Sequence, residues 1–163
     1  MLALLSFKDS FPPNKITDVL KFSKTEFFEF ILKNLTYHTA TTLNTPVKCT
    51  PEEAEIKYQR LVICSLKSLV FYLDKVKDVD ESDLVIFLEN PKFWSYSKSK
   101  DPHVKSAWFL NIQSILEHYP HLLEPYKSKI FSLVFNLITD SNLKLLGNIW
   151  GCILLLQQKN SDW

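Results

Sequence analysis

Glycine is almost missing from this sequence: among 163 residues there are two, Gly147 and Gly151. A Rossmann fingerprint, a P-loop and a glycine-rich hairpin scaffold each need more than that, so the enzyme classes built on them are excluded. Cysteine is scarce as well. Cys49, Cys64 and Cys152 are odd in number and far apart, with no CxxC and no histidine at ligand spacing. A closed zinc site needs about four ligands, usually arriving in close pairs. Three scattered thiols read instead as reduced, mostly buried residues of an intracellular protein. Charge of one sign is lacking too, since 19 basic residues against 18 acidic ones leave a formal charge of +1. No global field draws the chain to nucleic acid or to an anionic membrane, and any such contact must be a local patch. Long apolar runs are absent. The longest, Leu145 to Leu156, is interrupted by Asn148 and falls short of the ~20 residues that span a bilayer. The opening MLALLSFKD has no basic n-region, and its apolar stretch is too short for a signal peptide. The sequon Asn34-Leu35-Thr36 therefore has no secretory context and reads as incidental. The expectation is a cytosolic protein with no membrane partner.

What is present is apolar matter for a core, 46% hydrophobic and 13% aromatic, too much for a disordered chain. The punctuation is helical throughout. Ser23-Lys24-Thr25-Glu26 has the capping-box form, and Phe27, Phe28, Ile31 and Leu35 follow at helical spacing, predicting a helix from about Lys24 to Thr36. Thr50-Pro51-Glu52-Glu53 joins a hydroxyl cap, a first-position proline and first-turn acids, opening a long helix to Leu73 or Val76. Asp80 opens a short helix through Leu88, and Asn90-Pro91 opens another carrying Phe93 and Trp94. Asp101-Pro102 caps a helix to about Tyr119, which Pro120 stops, and further helices are predicted over Pro125–Ile138 and Asn142–Gln157. No period-two alternation argues for a strand, so the fold class is all-α.

Asp101-Pro102-His103-Val104-Lys105 and Asp140-Ser141-Asn142-Leu143-Lys144 share the order Asp, x, x, aliphatic, Lys, 39 residues apart. HEAT and armadillo repeats have periods of about 40–47 residues, and in such a repeat the aspartate caps the second helix. An α-solenoid piece of antiparallel helix pairs is thus preferred to a closed bundle. The expected organisation is a lead-in segment over 1–22 continuing an upstream solenoid, helical pairs over 23–89, and two HEAT-like repeats over 90–163, at about 91–120 and 125–158. The apolar character of both ends makes each read as cut, as in a fragment of a longer protein.

No constellation for catalysis emerges. His118 and His121 are separated by Pro120, and a metal would need Glu117 or Glu124 besides. Glu52, Glu53 and Glu55 are explained by the helix dipole. No catalytic, metal or cofactor residue is assigned. The stretch from Pro91 to Trp108 is the one candidate surface: Lys92, Lys98, Lys100, His103 and Lys105 interleave with Phe93, Trp94, Tyr96 and Trp108. Basic residues track phosphates and rings can stack on bases, which would make an RNA-facing surface. The competing reading puts the rings inside the helical layers and the lysines in water, and the helical spacing of Trp94 and Trp108 favours it. Lys92, Lys98, Lys100 and Lys105 would then meet phosphates alone.

Four strings in order resemble one family. Phe11-Pro12-Pro13-Asn14-Lys15 is similar to a short FPP(S/N)K element of listerin, the large ubiquitin ligase of ribosome-associated quality control. Pro51 to Arg60, PEEAEIKYQR, resembles that family's EEA-x-x-KY-x-R helix, and Pro91-Lys92-Phe93-Trp94 and Val104-Lys105-Ser106-Ala107-Trp108-Phe109 resemble its KFW and (V/I)RSAWF elements. Lys105 stands where arginine is usual, which keeps the charge and loses the bidentate fork. The resemblance implies a segment of the N-terminal half, within a long HEAT/armadillo-like solenoid. It implies as partners a 60S ribosomal subunit with a stalled nascent chain and the nuclear export mediator factor. Ubiquitin transfer would belong to a distant zinc-binding RING that recruits the ubiquitin-conjugating enzyme, and this chain has no RING. An unrelated HEAT-repeat adaptor, without enzymatic activity, is the alternative.

Overall fold

The structure is a computed structural model of the chain, and it describes residues 24–42, 49–76, 79–139 and 142–159, apart from the side chains of Lys24, Thr25, Lys144 and Lys159. The lead-in segment 1–22 with its Phe11–Lys15 string, the Ser23 cap and Asp140 lie outside the described residues. Among the described residues there are helices and no strands: α1 Lys24–Thr36, α2 Pro51–Lys75, α3 Glu81–Glu89, α4 Pro91–Ser95, α5 Pro102–His118, α6 Lys127–Leu137 and α7 Leu143–Lys159, with 3₁₀ turns at Tyr96–Lys98 and Pro120–Tyr126. The fold is all-α. The chain divides into two compact units, Met1–Phe93 and Trp94–Trp163.

In the first unit the start of α2 follows from its letters. Thr50 Oγ accepts from the Glu53 N–H at 3.2 Å, and Glu53 Oε2 accepts from the Thr50 N–H at 3.1 Å, so two orphan donors of the first turn are satisfied reciprocally. Pro51 fills the first helical position, where a missing N–H costs nothing. The buried stripe of α2 includes Val62, Leu66, Leu69 and Tyr72. It packs on α1, where Phe28 stacks on Tyr72 at 5.2 Å between ring centroids. Asn34 sits 2% exposed inside this pair, so the sequon is closed to a glycosyltransferase in the folded unit. Asp80 caps α3 by accepting from the Ser82 N–H at 3.0 Å, and Phe87 meets Phe93 at 4.4 Å.

In the second unit Asp101 caps α5, its Oδ1 accepting from the His103 N–H at 2.8 Å ahead of Pro102. The stretch after α5 differs from the expected helix over Pro125–Ile138. Residues Pro120–Tyr126 form a 3₁₀ segment, and the α-helix begins only at Lys127. Two prolines five apart each remove an N–H, so the chain turns tightly until it has passed Pro125. The cap of α7 is Asn142, whose Oδ1 accepts from the Leu145 N–H at 3.1 Å.

The organising contact of this unit is α5 against α7. Asn148 Nδ2 donates to Ser106 Oγ at 2.6 Å and to the Ser106 carbonyl at 3.1 Å. Further along both helices, Cys152 Sγ donates to the Phe109 carbonyl at 3.6 Å. Between these two contacts Gln113 Nε2 donates to the Asn148 carbonyl at 2.5 Å, so polar groups tie the two helices together at three places. Helices packed on one another in this way, with no strand among the described residues, make an all-α, solenoid-like fragment.

Candidate functional site

The run from Pro91 to Trp108 is built by three short-range signals. Asn90 Oδ1 accepts from the Lys92 N–H at 2.9 Å and starts α4. Ser97 Oγ donates to the Trp94 carbonyl at 2.6 Å, closing the 3₁₀ turn. Asp101 then restarts the chain as α5. Between the two helices the lysines are carried on a turn and a first helical turn, where side chains reach water.

The four lysines have different fates. Lys92 belongs to the first unit and is half-buried. Its Nζ donates to the His38 carbonyl and lies 5.2 Å from the Tyr58 ring centroid, while the Tyr58 hydroxyl donates to the same carbonyl at 2.7 Å. Lys98, Lys100 and Lys105 belong to the second unit. Lys98 and Lys100 are exposed, and Lys105 is half-buried on the first turn of α5.

The interleaved rings are core. Phe93, Trp94, Tyr96 and Trp108 are all buried. Trp94 packs edge-on against Trp108 at 5.6 Å and against Tyr126 at 5.0 Å, and Trp108 meets Phe109 at 4.9 Å. Rings committed to one another in this way do not stack on nucleobases, so the layer reading of the aromatics holds and any nucleic-acid contact here is electrostatic.

One cation was missed from the sequence. Lys129, on the first turn of α6, places its Nζ 4.1 Å from the Trp94 ring centroid. Partial desolvation, with the nearby Lys98 ammonium second, draws Lys129 below the ordinary lysine value. Lys129 thus feels the charge of Lys98 although the two are 31 positions apart in sequence. Like charges on one surface raise the local positive potential.

Chemistry beyond charge has little footing. Among the described residues no three His, Cys, Asp or Glu side chains converge to hold a metal ion, so the donor set here does not fit a zinc site. Burial, opposed by a contact from Gln113, holds the Cys152 thiol far above its ordinary value, which keeps it protonated and unreactive. Cys49 sits at the α2 start, where Lys57 Nζ donates to its Sγ at 3.4 Å. The Thr50 N–H, with lesser help from the Cys49 thiol and Lys57, holds the Glu53 carboxyl below its ordinary value; this group is capping a helix. A cavity of about 260 Å³ in the first unit is lined by Phe28, Glu29, Leu32, Tyr72, Val79, Asp80 and Asp83. Its charged groups are the carboxylates of Glu29, Asp80 and Asp83, and Asp80 is engaged as the cap of α3. No helix among the described residues is long and apolar enough to cross a membrane.

The described residues thus form an all-α, solenoid-like fragment whose second unit carries a cationic turn. The comparisons with known proteins define it further. The family described as E3 ubiquitin-protein ligase listerin, N-terminal domain, matches residues 1–163. Listerin of Drosophila melanogaster is 38% identical over 171 residues, covering 99% of this chain and 10% of that protein. Listerin of Mus musculus is 30% identical over 153 residues, covering 91% of this chain and 9% of its own length. Listerin of Xenopus tropicalis is 30% identical over 156 residues, at 93% and 9%. No solved structure matches. The chain belongs to the listerin N-terminal domain family, which sets aside the unrelated adaptor, and it spans about a tenth of the length of the curated relatives it matches.

Proposed function

We propose that this chain is a non-catalytic holding segment of a listerin-type E3 ubiquitin-protein ligase acting in ribosome-associated quality control. In this reading it contacts, in the cytosol, a 60S subunit that carries a stalled nascent chain, alongside the nuclear export mediator factor. Ubiquitin transfer falls to a distant zinc-binding RING that recruits the ubiquitin-conjugating enzyme. The observation that carries the reading is the family match along the whole of 1–163; among the described residues the side chains offer charge for binding and no three metal-ligating groups that converge.

The holding chemistry follows from the cationic turn. Lys98, Lys100 and Lys105 lie on one turn and the helix start after it, and Lys129 joins Lys98 across the unit. Each ammonium is a point charge that meets a phosphate oxygen without reading a base. Binding of this kind is salt-dependent because it releases counterions, with a slope of about −0.7 to −0.9 per phosphate neutralised in a plot of log affinity against log salt. Co-sedimentation of the chain with purified 60S subunits, over a salt series, tests the reading. Retention that weakens with salt at a slope of about −2 to −3 is the expected result. No retention at the lowest salt would remove the ribosome as partner of this segment.

A further inference from the structure

The cavity in the first unit has a chemistry that the lysine turn does not share. Its walls come from three elements: Phe28, Glu29 and Leu32 of α1, Tyr72 of α2, and Val79, Asp80 and Asp83 around the start of α3. Phe28, Tyr72 and Val79 are buried and Leu32 is half-buried, so much of the lining is aromatic or aliphatic. Glu29 and Asp80 are exposed and Asp83 is half-buried, which puts the carboxylates on the solvent side. At about 260 Å³ the space falls short of the ~300 Å³ at which sites for drug-sized ligands begin, and it suits a single side chain. Local structure accounts for part of the charge, since Asp80 caps α3 and Asp83 lies in its first turn, where the dipole favours acid. Glu29 lies beyond the first turn of α1 and has no such role. Its ion pair with Lys33, 3.9 Å between two exposed side chains, is of the weak surface kind.

Three carboxylates around an apolar hollow call for a cation, and their arrangement decides which kind. A calcium or magnesium ion needs several oxygens converging at about 2.0–2.6 Å. Among the described residues no three acidic, histidine or cysteine side chains come together in that way. A long organic cation needs no such convergence: its stem covers the apolar wall while its charged end stays at the wet rim. Arginine meets both demands. Its guanidinium is weakly hydrated, keeps its charge when buried, packs its plane on aromatic surfaces and offers five donors in a fork that can serve more than one carboxylate. A lysine ammonium is a compact, strongly hydrated charge and loses more water on entry. We propose that the cavity lined by Phe28, Leu32, Tyr72 and Val79 binds an arginine side chain of a protein partner, with Glu29 and Asp83 as its counter-charges. The first unit is then a protein-binding surface of acidic character, whether or not the lysines of the second unit meet a ribosome.

The test is a methyl NMR titration of the 163-residue chain with N-acetyl-arginine methylamide. Two controls run beside it: the citrulline analogue, which keeps the shape and lacks the charge, and the lysine analogue. The Leu32 and Val79 methyl signals should shift along a saturable curve with the arginine compound, several-fold more weakly with lysine, and not at all with citrulline. The arginine affinity should fall as salt rises. Glu29→Gln with Asp83→Asn should weaken arginine binding several-fold, with Asp80 kept because it caps α3. Glu29→Gln alone, at an exposed position of α1, carries the same expectation if the double variant does not fold. Saturable binding of citrulline as tight as that of arginine would overturn the proposal, because the hollow would then take any apolar stem. So would equal binding of lysine and arginine, no saturable shift with the arginine compound, or an arginine affinity that the substitutions leave unchanged.

Discussion

Two helices of equal length, α5 and α7 at 17 residues each, lie side by side in the second unit with opposite surroundings. Along α5 the buried residues include Val104, Ser106, Ala107, Trp108, Phe109, Ile112 and Ser114, which together occupy every side of the helix. Along α7 burial is confined to one stripe. Their sequences do not announce the difference, because each carries two isoleucines, one tryptophan and further apolar residues, and α7 is the richer in leucine. Trp108 is wholly buried and Trp150 half exposed, although each stands in an apolar helix of the same kind. An apolar helix therefore reports that partners exist on its faces, and only the packing reports which of them are in place.

The largest expected effect comes from α5. Trp108→Ala removes a ring packed against both Trp94 and Phe109 and should cost about 3–5 kcal/mol, read as the loss of the second unit's transition in chemical denaturation. Trp150→Ala should change stability by less than about 0.5 kcal/mol in the same assay, as surface substitutions do. Equal losses at the two tryptophans would break the comparison.

Next comes the polar tie between the two helices. Asn148→Ala leaves the Ser106 hydroxyl without its donor and should cost about 1–3 kcal/mol. No local signal announces it: Asn148 interrupts an apolar run and is legible only as a flaw in that run, because its partner lies 42 residues away. Short-range signals were readable by contrast. The Thr50 capping box, the Asp80 and Asp101 caps and the prolines at helix starts all act within three or four residues, and each stands in the structure as its letters imply. The burial of Trp94 and Trp108 was legible from helical spacing, while the pairing of Lys98 with Lys129, and the engagement of Lys92 by His38, are set by tertiary packing. Of the candidate surface, the residues could be named from sequence and their grouping could not.

A control lies outside the stacked pair. Thr50→Ala should cost about 1 kcal/mol and leave α5 and α7 untouched, as hydrogen exchange would show. The Glu53 half of that box carries a pH signature. Its carboxyl is held below its ordinary value in the folded chain, so its contribution is complete above the unfolded-state value and is lost as pH falls through the folded one. Glu53→Gln should flatten the acid side of the stability profile and leave stability near neutral pH less changed than Thr50→Ala does.

The smallest effects sharpen the two sides of α7. Gly147 faces open space, so Gly147→Ala should stabilise the chain by about 0.5–1 kcal/mol. A Cβ at Gly151 would collide with the side-chain amide of Gln113, which donates to the Asn148 carbonyl at 2.5 Å. Gly151→Ala should therefore lose that gain, or reverse it, in thermal melts. Stabilisation by both substitutions would mean that α7 is as loosely held on its inner side as on its outer one.

The central functional claim is that this domain holds its partner by the charge of its second unit. Two charge-reversed proteins test it most directly, one carrying Lys98→Glu, Lys100→Glu and Lys105→Glu, the other Lys92→Glu alone, each measured for co-sedimentation with 60S subunits from low to moderate salt. The account predicts that the triple variant loses retention across the series, while the Lys92 variant, whose ammonium is engaged by the His38 carbonyl, keeps most of it. Retention of the triple variant equal to that of the unmodified chain at every salt concentration would contradict it.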